Sequence, residues 1–131
     1  MSRLAFLRLY FLALGVFTLL WWPVSHWLYP DWYHRLLGFE SYDAAMVRVI
    51  GTAGVVPMLG LFFAAADPLR NRDFVIAILA FSALMAATYV VLIFAYGFPT
   101  REYANVATLI CNACVISALY PWRSAFTKVG R

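Results

Sequence analysis

A chain of 131 residues with 65% hydrophobic and 12% charged side chains and a mean hydropathy of +0.80 cannot dress a soluble domain, whose charged fraction is about a quarter. The same composition excludes a disordered chain, and seven Gly, six Pro and two Cys exclude collagenous, linker-like and disulfide-scaffold classes. The net charge of +4 comes from nine Arg and Lys128 placed between apolar runs, a pattern of membrane topology and not the clustered basic surface of a nucleic-acid binder.

At roughly 20 residues per hydrocarbon crossing, the chain has room for four spans and short loops. The first apolar run covers residues 5–27 and ends in Trp21-Trp22-Pro23. It exceeds the apolar stretch of a signal peptide and shows no small-residue cleavage site, so it reads as a retained span. Pro23 removes a backbone donor and is expected to kink or end the last turn.

Residues 27–43 mix Trp27, Tyr29, Trp32, Tyr33, Phe39 and Tyr42 with Asp31, His34, Arg35, Glu40 and Asp43. Amphipathic rings among charges suit the headgroup region. Pro30 can open and Gly38 close a short helix lying on the membrane. Three further spans follow, at residues 44–66, 74–97 and 103–120, with Ser41 or Asp43 capping the second and Asp67-Pro68 ending it. The expected fold is all-α: one integral membrane domain over residues 1–131, a four-transmembrane-helix bundle with a short interfacial segment between helices 1 and 2.

Arginine and lysine positions set an orientation. With the amino terminus inside, Arg3, Arg8, Arg70, Arg72, Arg123, Lys128 and Arg131 are cytoplasmic, against Arg35 and Arg101 outside. The positive-inside rule then puts both termini in the cytoplasm.

Arg48 is the first candidate for function, because a guanidinium within an apolar span is costly and marks a site by default. It lies about 7 Å inside its helix at about 1.5 Å per residue, shallow enough to snorkel. On a helical wheel it shares a face with Gly51, Thr52 and Val55, which directs it into the bundle, with Glu102 as a partner and Asn105 one turn further in. Three readings stand: an ion pair locking two helices, a site for an anionic or carbonyl-bearing ligand, and a lipid-headgroup contact.

Cys111 and Cys114 form Cys-Asn-Ala-Cys in the fourth span, the spacing of a redox dithiol. Such a pair also occurs in four-helix quinone-linked thiol oxidoreductases of the vitamin K epoxide reductase type. Those enzymes use a second, extramembrane pair that this chain lacks. A thiol about 12 Å deep would be poorly ionised, so packing is the competing role. Asn105, Thr108 and Asn112 recur at i, i+3 and i+7 on one face, either as polar glue between helices or as the lining of a hydrated or ligand-holding cavity, with Ser82, Thr88 and Ser117 available to complete it.

His26 and His34 are separated by a proline and show no recognised metal-ligand spacing, and no cofactor is implied. Gly51, Gly54 and Gly60, and Ala83 with Ala87, permit close helix contact, internally or in a homodimer. Pro57 frees a carbonyl near Ala53 and bends the second span.

The segments Tyr29-Pro30-Asp31-Trp32-Tyr33-His34, Leu37-Gly38-Phe39, Val47-Arg48-Val49-Ile50-Gly51-Thr52 and Ala66-Asp67-Pro68-Leu69-Arg70-Asn71-Arg72-Asp73 resemble the BphX-like small bacterial membrane proteins, and the layout is more distantly similar to the DoxX-like four-helix proteins. The resemblance carries no catalytic residues. It implies a four-span inner-membrane protein linked to aromatic-compound catabolism.

Three functions are therefore expected in order. The first is a non-enzymatic helper acting in the lipid bilayer through a partner membrane protein. The second is a binder or carrier of a hydrophobic small molecule at an outer pocket of Arg48, Thr52, Glu102, Asn105 and the Trp/Tyr segment from Trp27 to Tyr42, with Trp27 and Trp32 foremost. The third is a quinone-coupled dithiol enzyme using Cys111 and Cys114.

Overall fold

A computed structural model describes residues 2–122. The basic residues Arg123, Lys128 and Arg131, and the polar tail that holds them, lie outside the described residues. Four helices are long and apolar enough to cross a membrane: α1 (Arg3–Leu28), α3 (Ala44–Ala66), α4 (Arg72–Tyr96) and α5 (Thr100–Leu119). Between the first two lies the short helix α2 (Pro30–Leu37). Most of each long helix faces outwards, and side chains such as Phe94, Val56 and Leu84 stand exposed. That is the surface lipid requires.

Local chemistry sets the helix ends. Ser2 caps α1 by accepting from the Ala5 amide at 3.2 Å, and Asp43 caps α3 by accepting from Ala45 at 2.8 Å and Met46 at 3.0 Å. Pro30 occupies the first turn of α2, and Gly38, at φ 90°, ends it in a left-handed conformation. Gly97 closes α4 in the same way. In the loop after α3, Asp67 accepts from the Leu69 and Arg70 amides.

Pro23 does not end α1, contrary to the expectation that its turn could stop there. The helix widens into one π-turn over Leu20–Val24 and then runs on through Ser25–Leu28. The wider turn absorbs the proline ring and its missing donor. The Ser25 hydroxyl faces the Trp21 carbonyl at 2.5 Å and the Trp22 carbonyl at 3.1 Å, satisfying the loosened turn.

The helices pack as a ring in the order α1, α3, α4, α5, with the backbones of α1 and α5 approaching closely at few places. Glycines allow aromatic rings of α1 into α3. A Cβ at Gly54 would lie 2.7 Å from the Trp22 ring, and one at Gly51 would lie 2.7 Å from His26 Cβ. The core is packed solid near the α3–α4 loop by Leu7, Phe11, Leu61, Ala64, Val75, Ile78, Ile116 and Tyr120. The Tyr120 hydroxyl donates to the Pro68 carbonyl at 3.0 Å, tying the end of α5 to that loop.

Candidate binding cavity

At the other end of the bundle the helices stand apart. A cavity of about 100 Å³ lies between them, lined by Leu14, Phe17, Thr18, Trp21 and Trp22 of α1, Tyr33 of α2, Pro57 and Leu61 of α3, Ile78, Phe81, Ser82, Met85 and Tyr89 of α4, and Asn105, Thr108, Leu109 and Asn112 of α5. Phe17 and Thr108 are exposed among these residues, and both belong to the loosely apposed pair α1 and α5. That seam is the open side of the cavity.

Apolar and aromatic side chains make most of the wall, with the polar groups concentrated on α5. The spacing of Asn105, Thr108 and Asn112 puts them on one face because helical neighbours recur every three to four residues. Trp21 Nε1 donates to Asn105 Oδ1 at 3.0 Å, and Asn105 Nδ2 donates to Glu102 Oε2 at 2.6 Å. Since an indole can only donate and a carboxylate oxygen accepts, the amide orientation is fixed by its partners. The Tyr10 hydroxyl donates to Asn112 Oδ1 further along the seam. Thr108 turns its hydroxyl to the Ala104 carbonyl at 2.8 Å. The Trp21–Asn105 and Tyr10–Asn112 contacts bridge α1 and α5 where their backbones diverge.

Tyr33 roofs the cavity from α2. Its ring lies 5.3 Å from that of Trp21 and 4.5 Å from that of His26, centroid to centroid. Burial pushes its phenol well above the ordinary tyrosine range, with Tyr89 and Glu102 adding to the effect, so it stays a neutral donor. Arg101 holds the roof in place by donating to the Leu36 carbonyl at 3.1 Å. Beside the roof, His34 Nδ1 donates to the Pro30 carbonyl at 2.8 Å. The His26 and His34 rings, which chain spacing alone does not bring together, lie 5.8 Å apart.

No family model, no curated protein and no solved structure matches the chain. The cavity must therefore be read from its own chemistry.

Of the residues singled out in the sequence, Asn105, Thr108 and Asn112 line the cavity, and Glu102, 3% exposed, is held behind Asn105. Arg48, Thr52, Trp27, Trp32 and the two cysteines are not part of the cavity wall. Arg48 is exposed and donates to the Ala44 carbonyl at 3.0 Å, so the expected ion pair with Glu102 is not formed. The reason is geometric. The inward face of α3 is built by Val47, Gly51, Gly54 and Met58, and at about 100° per residue Arg48 and Thr52 fall roughly 90–130° away from its centre. Thr52 accepts from Trp27 Nε1 at 3.1 Å on that outer side, and Trp32 is exposed on α2.

Cys111 and Cys114 are free and exposed on the outside of α5, so they neither fill the core nor reach the cavity. Cys114 lies about 180° around the helix from Asn105. Thr88 is likewise exposed and bonds to its own helix at Leu84, whereas Ser82 is buried and lines the cavity. Sequence reasoning passed over Trp21, Trp22, Phe81 and Tyr89 as site residues. Their only signal was aromatic content within the spans.

Proposed function

We propose that this protein is a non-enzymatic binder or carrier of a hydrophobic, ring-bearing small molecule, held in the cavity between α1, α3, α4 and α5 of a multi-pass protein of the bacterial inner membrane. One observation carries the reading: the bundle is packed solid at one end and opens at the other into an aromatic-walled cavity with an ordered amide at its edge. Concave, largely apolar sites with a few placed polar groups are the usual form of small-molecule sites. The seam between α1 and α5 gives a hydrophobic ligand a route from the bilayer. The inner-membrane location rests on the resemblance to the BphX-like proteins, and the cytoplasmic termini on the arginine distribution.

Native mass spectrometry of protein extracted gently from its own host tests the proposal. A stoichiometric non-lipid adduct is expected, lost on Ser82→Phe, which fills the cavity, and retained on Arg48→Ala, which lies outside it. Phospholipid adducts alone, or a co-purifying protein in their place, would return the helper reading to first place.

A further inference from the structure

Glu102 bears on the chemical class of the ligand. Its carboxylate is buried and separated from the cavity by a single side chain, that of Asn105. Among the described residues no cation pairs with it. The ion pairs there are Arg8 with Asp67 and Arg72 with Asp73, both at the opposite end of the bundle. At the end where Glu102 lies, Arg35 donates to the Asp31 carbonyl, Arg48 to the Ala44 carbonyl, and Arg101, its own chain neighbour, to the Leu36 carbonyl.

A carboxylate taken out of water is tolerated when it is neutralised by a proton or by a nearby cation. Within a membrane such a group marks a ligand or ion path by default. The aromatic rings of Trp21, Tyr33 and Tyr89 stand at the same end of the cavity wall, and aromatic faces attract cations most strongly where water is excluded. At low dielectric the carboxylate acts across the intervening amide. An apolar cavity with aromatic rings and a carboxyl group without a cation partner at one end complements a molecule with an apolar body and one positive head, which takes the place of a proton as the countercharge.

Resting on the cavity reading above, we propose that the ligand is a lipophilic organic cation, an aryl-bearing protonated amine or quaternary ammonium. Its apolar body lies between α1 and α4, and its charged head lies at the Asn105 end, facing Glu102.

Equilibrium dialysis of the full-length protein in detergent tests this with two radiolabelled probes of matched shape. Benzyltrimethylammonium carries the charge, and neopentylbenzene replaces its nitrogen by carbon. Empty micelles and the Ser82→Phe variant supply the baselines. The wild type is expected to bind the cation at least about tenfold more tightly than the hydrocarbon. Glu102→Gln, which keeps the acceptor for Asn105, is expected to bring that ratio to within about twofold while hydrocarbon binding stays unchanged. Equal or tighter binding of the hydrocarbon by the wild type, or an unaltered ratio in Glu102→Gln, overturns the cation proposal and leaves the cavity reading intact. Binding of neither probe above the baselines overturns both. The wild-type ratio decides even if the variant does not fold.

Discussion

Trp21 and Asn105 meet across 84 positions of sequence, the indole donating to the amide oxygen at 3.0 Å. With the amide nitrogen on Glu102 at 2.6 Å, one side chain links α1, α5 and the buried carboxylate. Asn105→Leu keeps the approximate size and removes both bonds. An unsatisfied indole donor and a carboxylate without its donor should lower stability by about 1–3 kcal/mol. Thermal unfolding in detergent should therefore show a clear drop in Tm, and an unchanged Tm would mean the link is not formed.

The α1–α3 contact depends on an absent side chain. A Cβ at Gly54 would lie 2.7 Å from the Trp22 ring, whereas at Gly60 the nearest foreign atom, on the Phe74 ring, is 3.6 Å away. Gly54→Ala should cost about 1–3 kcal/mol as the ring or helix shifts. Gly60→Ala should be neutral or stabilising by up to about 1 kcal/mol, because alanine favours the helix. Tm values of the two variants, measured side by side, check the sign of each.

How far the sequence foretold this arrangement depends on the range of the interaction. Four spans, the Asp43 cap and the Pro30 to Gly38 interfacial helix rest on hydropathy and local backbone chemistry, and all are present in the fold. The Asn105, Thr108 and Asn112 face was legible because helical periodicity is local. The direction of Arg48 was not, since a wheel shows which residues share a face and not which face meets α1. Tyr33 belongs to the aromatic segment expected at the pocket, whereas Phe81 and Tyr89 join the cavity through helix order, which leaves no spacing signature.

Cys111 and Cys114 are exposed on α5, outside the cavity wall. Replacing both by serine should shift stability by no more than about 0.5 kcal/mol, as surface substitutions do. The variant should give the same native mass spectrum, adduct included, as the wild type. Loss of the adduct or of a cellular phenotype would instead bring the dithiol back as a functional group.

Tyr33 supplies a pH dependence with a defined sign. Burial raises its phenol above the ordinary value, which is about 10 for the unfolded chain. Below about pH 10 both states hold the proton and the contribution of Tyr33 to stability is constant. Above it the unfolded chain releases the proton while the buried ring cannot, so stability falls as pH rises toward the folded value. Tyr33→Phe has no proton to release, so its Tm should decline less between pH 9 and 11 (about one unit either side of the ordinary value) than that of the wild type. Its Tm at pH 9 can differ for packing reasons, and the slope is what isolates the phenol. Parallel slopes for the two proteins would mean that Tyr33 is solvated and does not roof the cavity.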